Sequence, residues 1–145
     1  MLSTEQISRV QDSFALVLPN TEEAAAGFYR RLFDIAPDTR GLFRHDIADQ
    51  GRKLFQTLAL IVDALDRLDR VLPTAESLAI RHVAYGVEER HYVAVGRALI
   101  ETLRATLEPQ FDRDTEAAWV AAYGLLSGAM MAAARQRLPE IGAAA

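Results

Sequence analysis

Eighteen consecutive residues without a charge, Ala117 to Ala134, constrain this chain more than any other feature. A run of that length is near the minimum for a membrane-spanning helix. It is, however, mostly Ala and Gly, it contains Tyr123 and Ser127, and few of its positions are strongly apolar. A helix apolar on nearly all sides also suits the centre of an all-helical core. The run is therefore read as the buried spine of an all-α domain outside the membrane.

The rest of the pattern agrees, because apolar residues recur at helical spacing and no run alternates like a half-buried strand. Ser3 and Gln6 have capping-box spacing ahead of a stripe formed by Ile7, Val10, Phe14 and Val17. Pro19-Asn20 interrupts, and Asn20 with Glu23 is expected to cap a second helix carrying Phe28, Leu32 and Phe33. Pro37 ends that helix and opens a short one reaching Leu42-Phe43. Arg44 to Ala48 reads as a loop. From about Asp49 a long helix is expected to place Leu54, Leu58, Ile61, Leu65 and Leu68 on one face. Pro73-Thr74 starts a shorter helix with Leu78 and His82, stopped at Gly86. A sixth helix carries Tyr92, Gly96, Leu99, Leu103 and Leu107, and the last runs from Asp112–Asp114 to just before Pro139. About seven helices with short connections result. With no repeat and no linker, residues 1–145 are expected to form one domain.

Several function classes drop out. The net charge is -4 and the basic residues are interspersed with acidic ones, so no nucleic-acid partner is expected. The absence of cysteine removes disulfides, thiolate metal sites and thiol nucleophiles. It also fits a reducing compartment. The first six residues are polar and acidic, unlike a signal peptide, which leads to a cytoplasmic expectation. His45, His82 and His91 fit no zinc spacing, and no Gly-rich phosphate loop is present.

Three residues stand out against this background. His82 lies four residues after Leu78, on a face that should point inward. It reads as a metal ligand or as a hydrogen-bonded core histidine. Gln50 lies one turn before Leu54 on the same stripe, facing the interior or still in water at a helix start. Tyr29 follows Phe28 inside an apolar helix and reads as a donor to a ligand or as an ordinary core tyrosine.

These residues belong to an ordered set that spans almost the whole chain. It comprises Phe28-Tyr29, Phe33, Pro37 and Leu42-Phe43, followed by Gln50, Lys53, Leu54 and Phe55. Arg81-His82, Tyr85-Gly86-Val87, His91-Tyr92 and Val95-Gly96 come next, then Ala118-Trp119 and Tyr123-Gly124. The set resembles the globin family, specifically bacterial single-domain globins and the haem domain of flavohaemoglobins.

The resemblance implies a globin fold holding haem b (iron protoporphyrin IX) between the helix bearing Gln50 and the helix bearing His82. His82 would be the proximal iron ligand, its second ring nitrogen donating to a nearby acceptor. Leu42, Phe43, Leu54, Leu78, Val87 and Leu99 would form the apolar wall. Lys53 and Arg81 would lie near the haem, Lys53 pairing with a propionate or remaining a free surface lysine. Tyr29 and Gln50 would donate to bound dioxygen, while carbon monoxide offers them much less to bond. Tight, slowly released oxygen is the expected outcome, for storage, transport or sensing.

The alternative is a nitric oxide dioxygenase, in which Tyr29, Gln50 and Tyr92 would serve catalysis. A haem-free helical interaction domain is a minor third class. Two departures from the resemblance bear on the choice. No dinucleotide-binding segment follows the helices, so electrons are expected from a separate reductase. The carboxylate that the family sets beside its proximal histidine falls, counting from Trp119, at Ala134, followed by Arg135. A monomer or weak homo-oligomer is expected. His91 is expected at the surface or in a local hydrogen bond, and His45 in a solvated loop.

Overall fold

In the computed structural model, residues 2–144 are described except 44 and 45, with backbone alone from 137 onward. His45, expected in a solvated loop, lies outside the described residues. Six α-helices follow one another: α1 (Thr4–Val17), α2 (Thr21–Ile35), α3 (Ile47–Asp63), α4 (Leu68–Ala84), α5 (Glu89–Leu107) and α6 (Arg113–Ala144). Short 3-10 turns occupy Leu18–Asn20 and Pro37–Leu42. No strand occurs among the described residues. The all-α expectation holds, with six helices and two 3-10 turns in place of about seven helices.

Local chemistry explains most boundaries. Ser3 Oγ accepts the Gln6 N–H at 3.1 Å and Gln6 Oε1 accepts the Ser3 N–H at 2.9 Å, which starts α1. Asp46 accepts the Ala48 N–H at 2.9 Å, so α3 begins at Ile47, two residues ahead of the expected start. Gly86, at φ +90°, ends the turn after α4, a conformation that a Cβ would strain.

Other expectations are corrected. Asn20 makes no side-chain cap; the 3-10 turn runs helically into α2, and the paired caps expected of Asn20 and Glu23 do not form. Leu65 and Leu68 do not extend α3, which stops at Asp63. Pro73 does not start a helix but lies within α4. Proline forfeits one hydrogen bond to the residue four back, and the packing of α4 on α6 offsets that loss. Pro139 likewise lies inside α6 and not beyond its end.

The uncharged run is a half-buried spine. Ala118, Trp119, Ala122, Ser127, Met130 and Ala134 are buried, while Ala117, Val120, Gly124 and Gly128 are exposed on the opposite face. By length and composition alone α6 could cross a membrane, yet only 33% of its most apolar stretch is buried in the protein. Its inner face makes the core. Trp119 Nε1–H donates to Ser13 Oγ at 2.8 Å, and Phe14 lies 6.2 Å from both Phe55 and Trp119, centroid to centroid. These contacts tie α1, α3 and α6 together.

Helix partners then define a gap. α2 packs on α3 and α5, α1 on α6, and α4 on α6. α3 and α4 form no substantial pair with each other. Leu54 and Leu58 on α3, Leu78 on α4, and Phe43 and Val87 nearby remain only half-buried. Large apolar side chains left partly uncovered on two helices that do not pair with each other suit an apolar ligand.

Candidate functional site

The α2/α3 crossing sets one wall. Gly51 sits so close to α2 that an added Cβ would lie 2.7 Å from Ala25 Cβ and 3.8 Å from Tyr29 Cε2. The missing side chain therefore brings the first turns of α3, with half-buried Gln50, against Tyr29. Tyr29 is buried, with Phe43 edge-on at 5.1 Å, Phe28 edge-on at 5.1 Å and Phe33 stacked at 6.0 Å. Its hydroxyl makes no hydrogen bond among the described residues. Burial pushes its pKa up to about 12, so the phenol stays protonated and remains a donor.

The other wall is the last turn of α4. His82 Nδ1 lies 2.6 Å from the Leu78 carbonyl oxygen, one helical turn back. A carbonyl can only accept, so Nδ1 carries the proton and donates. Burial is the main force lowering the His82 pKa below the ordinary histidine range; the bond to Leu78 opposes it and neighbouring Arg81 adds to it. The imidazole is thus neutral at pH 7, with the Nε2 lone pair uncommitted among the described residues. Beneath it lies a cluster of Ala75, Ala79, Tyr92 and Met130, with Leu78 and Val87 packed around. Tyr92 stacks near the His82 ring at 6.3 Å and 23°.

Tyr92 has an unusual hydroxyl: it is buried and has no hydrogen-bond partner among the described residues. The position expected to lack a carboxylate does lack one, since Ala134 is buried there and Arg135 turns to pair with Glu89. The acceptor for His82 is the main chain of Leu78.

The sequence-derived residues fall into three groups. Tyr29, Phe43 and the turn bearing Gln50 form one wall, and Leu78, His82, Val87 and Tyr92 the other. Leu42 and Leu54 are half-buried at the gap, and Leu99 lies in the main core. Lys53 and Arg81 are exposed, and neither is in an ion pair among the described residues. Of the two settings expected for His91, the local hydrogen bond is the one found, and the surface position is not. The ring is buried, accepting the Glu88 N–H at 2.8 Å through Nδ1 and bonding Asp38 Oδ2 at 3.1 Å through Nε2. The Glu88/His91 spacing of three, with an acceptor at the second position, was the available signal.

The fit to haem can be judged from these groups. No cluster of three or more metal-ligating side chains exists among the described residues, so a metal held by side chains alone is not supported there. A single neutral imidazole with a free Nε2, set in an apolar gap, suits a metal that arrives with its own macrocycle. Exposed Lys53 and Arg81 suit the acidic edge of such a group. The residues fit.

Comparison with known proteins agrees with this geometry. The Globin family profile matches residues 26–130. A flavohemoprotein of Vibrio cholerae is 29% identical over 130 residues, covering 88% of this chain and 33% of its own. A flavohemoprotein of Chromobacterium violaceum is 30% identical over 135 residues, covering 90% and 33%. The chain thus spans about a third of the length of the curated relatives it matches. Among solved structures, a bacterial globin from Campylobacter jejuni superposes with a TM-score of 0.82 at 25% identity, covering 94% of this chain and 99% of that one. An engineered carbene transferase from Rhodothermus marinus reaches 0.88 at 23% identity, over 98% and 99%, which speaks to the fold alone. Helix order and superposition define an all-α protein of globin type. The chain belongs to the globin family.

Proposed function

We propose that this chain binds haem b in the gap between α3 and α4, with His82 as the proximal ligand, and holds dioxygen tightly. One observation carries the reading. The imidazole of His82 is neutral, oriented by Leu78 and left with a free Nε2 in an apolar setting. When bound, haem would supply the iron that takes a diatomic gas, and His82 Nε2 would be the protein's ligand to it.

The protein's part is orientation, exclusion of water and hydrogen bonding. Leu54, Leu78, Phe43 and Val87 cover the two faces of a flat apolar group and keep bulk water away. Leu78 fixes the tautomer and plane of His82, so no reorganisation is needed when Nε2 engages a metal. Tyr29 stays protonated and offers its O–H, and Gln50 offers its amide from the neighbouring turn. Hydrogen bonds to a ligand bearing charge contribute roughly 1.5–3 kcal/mol each. At about 1.4 kcal/mol per factor of ten, two donors slow oxygen release by roughly two orders of magnitude or more. Carbon monoxide, which polarises less, gains less.

The resemblance to flavohaemoglobins implies a second reading, nitric oxide dioxygenation with electrons from a reductase. Against it stands the proximal side: the neutral carbonyl of Leu78 makes an imidazole less electron-donating than a carboxylate would. The same protein sample separates the two. Stopped-flow displacement of oxygen gives the release rate, and the oxygenated protein is then mixed with excess nitric oxide under sustained reduction. A slow release with a single stoichiometric conversion supports the binding protein; many turnovers replace it with the enzyme.

A further inference from the structure

The buried histidine that the haem reading does not use lies at the junction of the two walls. His91 is 4% exposed, yet both ring nitrogens are bonded. Because Nδ1 accepts the Glu88 N–H, it carries no proton, and Nε2–H is the donor to Asp38. The tautomer is therefore fixed by the backbone. Asp38 Oδ2 also accepts from Arg90 Nη1 at 2.5 Å, and its carboxyl is held below the usual range, first by His91 and then by Arg90.

Each end of this bond leads to one wall. On the proximal side, the Val87 N–H donates to the carbonyl of His82 at 2.9 Å, and Glu88 follows directly. The corner between α4 and α5 is thus hydrogen-bonded to His82 at one end and to His91 at the other. On the distal side, Asp38 belongs to the turn Pro37–Leu42. That turn is stiffened by Thr39, 1% exposed, whose N–H and hydroxyl both donate to the Ala36 carbonyl at 3.0 and 2.6 Å. It leads into Phe43, whose ring meets Tyr29 edge-on. Leu42 of the same turn lies 3.7 Å from the point where a Cβ on Gly86 would sit. α4 itself packs on α6 and not on α2 or α3 to any substantial extent, so this corner is its main link to the distal wall.

We infer that Asp38 and His91 form a positioning pair that holds the His82 corner against the turn bearing Phe43, and so sets proximal ligand and distal tyrosine relative to each other. The inference rests on the haem reading above but assigns roles to residues that reading leaves out. A hydrogen bond from a buried imidazole to a part-exposed carboxylate joins two segments 53 residues apart in the chain. The adjoining Arg90 pair is exposed and salt-screened, so it contributes little to the geometry.

The experiment compares Asp38→Ala, Asp38→Asn and Arg90→Gln in the haem-loaded protein. Asp38 has an exposed side chain, so these variants remove a bond without opening a core cavity. Three quantities are read: haem transfer to an excess of acceptor apoprotein, the iron–histidine Raman band, and the carbonyl stretch of the carbon monoxide complex, which reports on Tyr29. Asp38→Ala is expected to lose haem about tenfold faster and to move both bands, as loss of a hydrogen bond to a charged group predicts. Asp38→Asn keeps an oxygen for His91 Nε2–H and should stay within about twofold of the parent, as should Arg90→Gln. Unaltered bands and haem loss in Asp38→Ala overturn the inference, and so does Arg90→Gln reproducing the Asp38→Ala effect. A parent protein that forms no Soret band removes the haem reading and this inference with it; a normal parent band beside an unaltered Asp38→Ala removes the inference alone.

Discussion

Leu78 and His82 are joined by a hydrogen bond of 2.6 Å from the imidazole Nδ1–H to the carbonyl one turn earlier on α4. The bond decides tautomer and ring plane at once, with backbone that every helix possesses, while burial keeps the ring neutral. A proximal histidine oriented this way needs no carboxylate neighbour. That is consistent with the small residue, Ala134, where a carboxylate was looked for.

Removing the Tyr29 donor should release oxygen faster. Tyr29→Phe keeps the ring contacts with Phe43 and Phe33 and loses only the hydroxyl. Oxygen dissociation should rise about 10- to 100-fold, with carbon monoxide dissociation changed far less. Gln50→Leu should act in the same direction and more weakly, because Gln50 is only half-buried. Stopped-flow mixing measures both; an unchanged oxygen rate in Tyr29→Phe removes the distal donor from the account.

Alkaline stability follows from the same phenol. Its folded pKa is raised by burial to about 12, against about 10 in the unfolded chain. The unfolded state thus loses its proton first, and the contribution is fully present below pH 10 and disappears as pH rises through about 12. The stability difference between the parent and Tyr29→Phe should be flat from pH 7 to about 9.5 and shift against the parent above that. Denaturant midpoints across this range test it, and a flat difference up to pH 11.5 contradicts it.

The orphaned hydroxyl of Tyr92 has the opposite sign. A buried polar group without a partner costs roughly 1–3 kcal/mol. Tyr92→Phe should therefore raise the unfolding free energy by about 1 kcal/mol while leaving the His82 Raman band in place. A loss of stability of similar size would show that the hydroxyl has a partner in solution.

Close helix approach at Gly51 is a packing requirement. Gly51→Val must push α3 away from the Cβ of Ala25, which has no freedom to move aside. Overpacking of this kind costs about 1–3 kcal/mol. Because the same crossing sets the turn that carries Gln50 against α2, oxygen release should accelerate in parallel. Thermal unfolding and oxygen dissociation measured on one preparation check the coupling.

Much of this was legible in the residues themselves. Spacing predicted α1 and its capping box, the turn at Pro37, the stop at Gly86 and the inward placement of His82. Two of the misreadings share a cause, the use of proline as a boundary. Pro73 and Pro139 lie inside helices, where packing outweighs one missing hydrogen bond. The uncharged run in α6 was taken as wholly buried, but small residues are tolerated on either face and leave no polar signature on the open one. The local hydrogen bond of His91 was legible, but its burial and its bond to Asp38 were not, because that partner lies 53 residues away in the chain. Leu78 as the proximal acceptor is backbone chemistry, which side-chain pattern cannot show.

The most direct test is the visible and resonance Raman spectra of the haem-loaded parent beside His82→Gly, with and without added imidazole. The parent should show a Soret band and an iron–histidine stretch in the ferrous form; His82→Gly should lose that stretch, and free imidazole should restore an equivalent one. An iron–histidine stretch that persists unchanged in His82→Gly, or a parent that takes up no haem, would contradict the assignment of His82 as the iron's anchor.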